Sequence, residues 1–292
     1  MLLRTILPAV IALMIGFLIS PSYSDEVIFC SGFECPATDT ALEARVAALE
    51  ALLADVTRST DPNTSQDTLI FSGMNVQVVD GTGNTDGATN GTGNLIIGYN
   101  ELSGGSNVRT GSHMLVIGRM NNYNSYGGMV VGTNNNAYGA QSSITGGSSN
   151  TASGIYAVIT GGYFNVANND YASVTGGYSN TASGQFSAVS GGRGGIASGE
   201  SSSISGGYLN KASDISASVN GGFENEASGA YGAVLGGVYN VASGDSSSIS
   251  GGHTNETSGI AASISGGIGN DATNYYATVS GGTANSASGQ RS

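Results

Sequence analysis

Three spacings of apolar residues follow one another along the 292-residue chain, and each predicts a different element. The first is an unbroken run, ILPAVIALMIGFLI, preceded by Arg4 and followed by SPSYS with small residues at Ser22 and Ser24. That is the layout of a secretory signal peptide cleaved after Ser24, because the run is shorter than the roughly 20 residues a spanning helix wants. The second is ALEARVAALEALLADV, where Leu42, Val46, Leu49, Leu53 and Val56 alternate steps of four and three. Val46 and Leu53 fall at a, and Leu42, Leu49 and Val56 at d, of a heptad seam. A helix of about 18 residues is only marginally long enough to stand alone in water. Its stripe therefore needs cover, either from its own chain or, as expected here, from copies of itself. Thr38 or Asp39 is placed to cap it, with Glu43 near its positive end.

The third spacing dominates. Ile144, Ile159, Val174, Val189, Ile204, Val219, Val234, Ile249, Ile264 and Val279 recur every fifteen residues. An alanine column (Ala152, Ala167, Ala182, Ala197, Ala212, Ala227, Ala242, Ala272, Ala287) keeps the same phase and is interrupted by Thr257. An asparagine column (Asn150, Asn165, Asn180, Asn210, Asn225, Asn240, Asn255, Asn270, Asn285) departs from its pattern at Gly195. A glycine pair begins two positions past each Val or Ile, as at Gly176 and Gly177. A β-branched residue among small polar ones reads as a short strand with one side chain inward, and the glycines let the chain turn. Alanine fits the facing wall. Asparagine beside the turn bonds the backbone of its own coil or stacks with Asn above and below. Each coil would add about 4.8 Å along the axis.

Upstream, NLIIGYN, HMLVIGRMNN and GMVVGTNNN share an apolar triplet, a glycine and a nearby Asn at uneven spacing, as terminal coils of a solenoid would. TLIFSGMNVQVVDG, with Val76 and Val78 alternating, predicts a strand opening the β region, and RSTDPNTSQD before it reads as a polar linker broken at Pro62. In DGTGNTDGATNGTGN, Asp80, Asn84 and Asp86 have the offsets of a calcium loop, but residue 91 is Gly where an EF-hand needs Glu; a series of tight turns is the plainer reading.

Composition narrows the class. With 48 Gly, no Trp and 10% charged residues, the chain lacks the large apolar side chains of a thick core, which a repeat architecture does not need. A formal charge of −12 argues against nucleic acid and anionic lipid as partners. No stretch after the signal peptide is apolar enough for a membrane span, so a secreted or cell-surface location is expected. Cys30 and Cys35, the only cysteines, lie just past the cleavage point in a chain bound for an oxidising compartment. A local disulfide is expected, two thiols alone being an incomplete metal site. One Val and one Ala per coil bury little, and sharing a core among parallel chains would make up the shortage.

NTASGQFSAVSGG resembles the head repeat of the trimeric autotransporter adhesins, the YadA-like family, at Asn180, Ala182, Gly184, Ser187, Val189 and Gly192. The resemblance covers about Asn94 to Gly289. It implies an all-β repeat fold, a parallel β-roll or β-solenoid head assembled as a homotrimer, which binds a host surface, matrix or glycan. The family's unit is one residue shorter, and its stalk and membrane-anchor barrel follow the head, whereas the heptad run here precedes the β region. A truncated relative, a secreted protein and a subunit held at the surface by something else all remain open. The domain reading is a signal peptide over 1–24, a disulfide-containing segment over 25–37, a coiled-coil helix over 38–58, a linker over 59–68, irregular β-roll coils and cap over 69–140, and the fifteen-residue-repeat β-roll over 141–292.

No catalytic chemistry is expected. His113 and His253 have no second ligand or base at a useful spacing, no serine sits in an elbow between strand and helix, and the acids Glu224, Glu226, Asp245 and Asp271 form no evident catalytic pair. No cofactor or metal is expected. His253 occupies a variable position shared with Tyr178, Tyr208 and Phe223, which reads as tolerant surface. Two columns are candidates for contact with a ligand: the hydroxyl-rich Thr145, Thr160, Thr175, Ser190, Ser205, Asn220, Leu235, Ser250, Ser265 and Ser280, and the aromatic Tyr156, Tyr171, Phe186, Tyr231 and Tyr276. The alternative is that the hydroxyls solvate one face and the aromatics cover a seam between chains. An adhesin-like head leads, a structural spacer or surface-layer protein comes second, and ice binding by the Ser/Thr column third.

Overall fold

The computed structural model describes residues 40–102, 105 and 107–289. The signal peptide, the expected Cys30–Cys35 bond and the expected capping residues Thr38 and Asp39 lie outside the described residues. The chain divides into two compact units, one ending at Val76 and one beginning at Gln77.

In the first unit, helix α1 runs Thr40–Leu52, shorter than the expected 38–58. Leu53 N–H still bonds Leu49 O at 3.0 Å, but Val56 opens a strand instead of closing the seam. The expected linker is a hairpin: β1 (Val56–Thr60) pairs antiparallel with β2 (Asp67–Phe71) in the register Val56 to Phe71 and Thr60 to Asp67. The misreading has a physical source in the turn. Asp61 Oδ1 accepts the N–H groups of Asn63 at 2.7 Å and Thr64 at 3.0 Å, so DPNTSQ is a capped turn and not slack chain. The strand expected in TLIFSGMNVQVVDG is present only at its start, as β2, and the stretch around Val76 and Val78 carries no strand.

The second unit is an all-β parallel solenoid. One sheet stacks thirteen strands and the other twelve, and in both the neighbour of each strand is the equivalent strand of the next coil. The first sheet begins with β3 (Leu95–Ile97), β4 (Leu115–Arg119), β6 (Met129–Thr133) and β8 (Ser143–Ile144). The second begins with β5 (Asn122–Tyr123), β7 (Asn136–Ala137) and β9 (Thr151–Ala152). The Val/Ile column lies on the first and the Ala column on the second, so a branched side chain meets a methyl across a thin core. From Ile144 to Val279 the branched column is 0–7% exposed. A third line of parallel bridges, from Thr133 to Ser148 and on through Tyr163, Tyr178, Arg193, Tyr208, Phe223, Val238, His253, Ile268 and Thr283, closes the coil on its remaining side.

The uneven upstream spacing resolves into register. Val116 pairs with Val130 and Val130 with Ile144, two steps of fourteen. Gly132 lies against Gly147, which leaves Gly146 as the additional residue of the longer coil. That insertion shortens the strand from the five residues of β6 to the two of β8.

The asparagines supply what the small apolar core does not. Asn165 donates its N–H to Asn150 Oδ1 at 2.9 Å, and its Nδ2 donates to Gly161 O at 3.0 Å and to Gly177 O at 3.1 Å. Its Oδ1 accepts the N–H of Asn180 at 3.0 Å. Each carboxamide thus joins its own coil to the next, and the backbone N–H of each Asn closes the link from the coil before. The ladder starts earlier than the sequence pattern, at Asn121, whose Oδ1 accepts Asn135 N–H at 3.0 Å. It has a gap at Gly195, whose N–H still reaches Asn180 Oδ1 at 2.9 Å but which offers no carboxamide to the next coil.

Candidate recognition face

From Gln141 to Tyr276, each fifteen-residue coil has at least one left-handed corner occupied by a residue other than glycine. Tyr156, Tyr171, Phe186, Tyr231 and Tyr276 all have φ near +58°, with φ values of 57° or 58°. Such a conformation costs a bulky residue about 1–3 kcal/mol and persists only where the surroundings over-determine it. Here the corner is knitted across coils: Tyr171 N–H bonds Ile155 O at 2.9 Å, Phe186 bonds Asp170 O at 3.1 Å and Tyr231 bonds Ile215 O at 2.8 Å. The aromatic column therefore stands in line, outside the core, at one edge of the solenoid.

The structure brings only part of that column together. Tyr156 stacks on Tyr171 at 5.1 Å and Tyr171 on Phe186 at 5.0 Å, with ring planes within 18° and 15° of parallel. Stacked along the axis, these rings cover one another's faces and show their edges to solvent. Tyr231 and Tyr276 stand apart, 64% and 56% exposed, with small residues in the coils between them.

A second row was not recognised from the sequence. The column containing His253 is the third bridge line; its side chains form a series from Tyr163 to Phe223, and where the line has Val238 the adjacent Tyr239 carries the contact on to His253. Tyr163 lies 5.7 Å from Tyr178, and the Arg193 guanidinium sits 5.1 Å from the Tyr178 ring and 5.5 Å from that of Tyr208. Tyr208 stacks on Phe223 at 5.1 Å, Phe223 meets Tyr239 edge-on at 5.4 Å, and Tyr239 meets His253 at 5.8 Å. The variable, exposed position read from the sequence carries a ladder of rings and one guanidinium from Tyr163 to Phe223. Its fifteen-residue phase was present in the sequence, but mixed residue types disguised it.

The hydroxyl column, Thr145 to Ser280, is exposed along the first sheet, with Leu235 breaking it at 55% exposure. The expected oligomerisation seam is also exposed at Leu42, Val46, Leu49 and Leu53, and half-buried at Val56.

The loop from Asp80 to Asn94 forms tight turns at the start of the second unit. Asp80 Oδ1 accepts the N–H of Thr82 at 2.9 Å and its hydroxyl at 2.7 Å. These bonds, with a smaller contribution from the His113 charge, hold the Asp80 carboxyl below its usual pKa. His113 Nδ1 lies 3.2 Å from Thr85 O, and Asp80 N–H lies 3.3 Å from its Nε2. Around them is a cavity of about 320 Å³ lined by Gln77, Val79, Asp80, Gly81, Gly83, Asn84, Thr85 and His113. Among the described residues, no three His, Cys, Asp or Glu side chains form a group suited to a metal ion. The chain matches no protein-family model and no curated protein.

Proposed function

We propose that the chain is a secreted or cell-surface, adhesin-like head, working as a parallel homotrimer, whose aromatic edge meets a surface, matrix or glycan ligand. The observation that carries this reading is the row of exposed rings held in register on a rigid solenoid, since solenoids present extended binding surfaces. The N-terminal run with the character of a signal peptide supports export, and the closely spaced cysteines support a disulfide in an oxidising compartment. The exposed Val46, Leu49 and Leu53 support self-association through α1 and the residues just after it, and the adhesin resemblance supports the number three. A binding screen of the mature protein against matrix proteins, glycans and whole cells tests the reading. No binding above a composition-matched control protein overturns it.

A structural spacer is the second reading, favoured by one observation. The row from Tyr163 to His253 uses its ring faces on its neighbours, which stabilises the stack of coils and leaves those faces closed to a ligand.

A further inference from the structure

The corner column that contains Tyr231 carries a second period. Phe186, Tyr231 and Tyr276 recur at 45 residues, three coils apart, and small residues fill the corner between them: Ser201 and Ser216, then Ser246 and Ala261. The preceding column repeats with the same period. Glu200 and Asp245 stand one coil after Phe186 and Tyr231, and Ile215 and Ile260 stand one coil later. Two like slots result, each with an aromatic ring at either end, a floor of small residues, and a carboxylate and an isoleucine along its edge. Ile215 and Ile260 are 46% and 40% exposed, and Glu200 and Asp245 are exposed with no ion pair among the described residues.

Tyr231 is what makes the arrangement more than a surface pattern. It occupies a strained corner, φ 58°, that Ser246 and Ala261 occupy equally in the next two coils, and it takes no part in a ring stack among the described residues. Tyr171 recovers its strain by stacking on both sides. Tyr231 shares the backbone bond of the corner but makes no ring stack, so its ring faces are open to a ligand.

We propose that these slots bind two cationic side chains of an extended basic polypeptide; the assignment rests on the recognition reading above and names its partner class. The aliphatic stem of a lysine or arginine packs on the isoleucine, the head lies over an aromatic face, and the carboxylate pairs with it. Charge complementarity favours this occupant, for the chain carries −12 and the two basic residues between Ile144 and Gly289 sit in other columns, Arg193 between tyrosines and Lys211 on Glu226. The spacing agrees as well. Three coils span about 14 Å, the distance four residues cover in an extended strand, so charges at i and i+4 reach both slots from one side of the peptide.

The test is calorimetric titration of the full mature protein with a synthetic peptide carrying lysines at i and i+4, beside a peptide with the same lysines replaced by glutamate. Binding of the basic peptide alone is expected. Tyr231→Ser, a residue the corner already accepts, should weaken it about tenfold, the scale of a lost cation–aromatic contact. Glu200→Gln with Asp245→Asn should weaken it similarly, whereas Glu256→Gln, an exposed carboxylate in another column, should leave it unchanged. Equal affinity of the wild type and Tyr231→Ser overturns the slots, as does a neutral glycan that displaces the peptide and depends on Tyr231. A change in oligomer mass on Tyr231→Ser would show that a second copy covers the corner, and overturns them too. Binding to matrix or cells without any binding of the basic peptide sinks the slots and leaves the recognition reading standing.

Discussion

Gly176 and Gly177 are adjacent, yet the structure requires only the second to be glycine. A Cβ on Gly177, at φ +92°, would fall 2.3 Å from Gly192 O and 2.6 Å from Asn180 Nδ2, whereas one on Gly176 meets nothing within 4 Å. Gly177→Ala should therefore cost about 1–3 kcal/mol, and Gly176→Ala should be neutral or gain about 0.4–1 kcal/mol by stiffening the unfolded chain. Denaturant melts of the two variants check this, and equal midpoints would mean that the close approach of successive coils is not as described. Hydroxyls in the core make a second residue-scale case. Ser187 Oγ is buried without a partner, while Ser247 Oγ accepts the hydroxyl of Thr257 at 3.0 Å, the one departure in the alanine column. Ser187→Ala should raise stability by about 1–3 kcal/mol, because it removes an unsatisfied group. Ser247→Ala should lower it, because it strands Thr257. The same melts distinguish the two, and a matching sign would overturn the account.

The asparagine ladder is the element that joins coil to coil, and its gap at Gly195 is an opportunity to repair it. Gly195→Asn would place an acceptor before the Asn210 N–H and donors before Gly191 O and Gly207 O, the pattern of the neighbouring coils. A gain of about 1–2 kcal/mol is expected, seen as slower amide exchange around Asn210; faster exchange there would count against it. At the loop from Asp80 to Asn94, pH supplies the test. The Asp80 carboxyl is held below its usual pKa chiefly by Thr82, so the ionised form belongs to the folded loop. Its contribution is full above the ordinary carboxylate value and is lost as pH falls through the lowered one. NMR titration should show Thr82 and His113 signals moving with Asp80 in that acid window. Insensitivity of the Thr82 amide to it would remove the clasp.

Assembly is decided at the scale of the whole molecule. The first unit leaves Val46, Leu49 and Leu53 exposed on and just after a helix of only 13 residues, and such a helix is marginal in water without cover. Light scattering of the mature protein should give a mass near three chains, and Leu49→Asp should shift it toward the monomer. A folded wild-type monomer would overturn the trimer. Within the solenoid, each coil meets only its neighbours, so damage should stay local. Val189→Asp puts an unpaired carboxylate at a site 1% exposed and should open the coils around it first, whereas a charge at exposed Thr254 should not.

Repeat, inward columns and fold class were all legible in the sequence, because a side chain that faces a thin core every fifteen residues must be small or branched and apolar each time. Ile144 to Val279 and the alanines opposite them needed no coordinates to be recognised. Other features depended on which backbone groups meet across coils, and a one-dimensional pattern does not carry that. Helix α1 stops at Leu52 although the heptad continues to Val56, because Val56 pairs with Phe71 instead. The hairpin turn at Asp61 looked like a linker because its order comes from two backbone bonds to one carboxylate. The column from Tyr163 to Phe223 looked variable because Tyr, Arg and Phe are unlike as letters. Only the stack of coils, about 4.8 Å apart, shows that such side chains can all lie ring to ring or guanidinium to ring. The aromatic corner was legible as a list, but the tertiary structure separated its stacked members, Tyr156, Tyr171 and Phe186, from Tyr231, whose faces the neighbouring coils leave open.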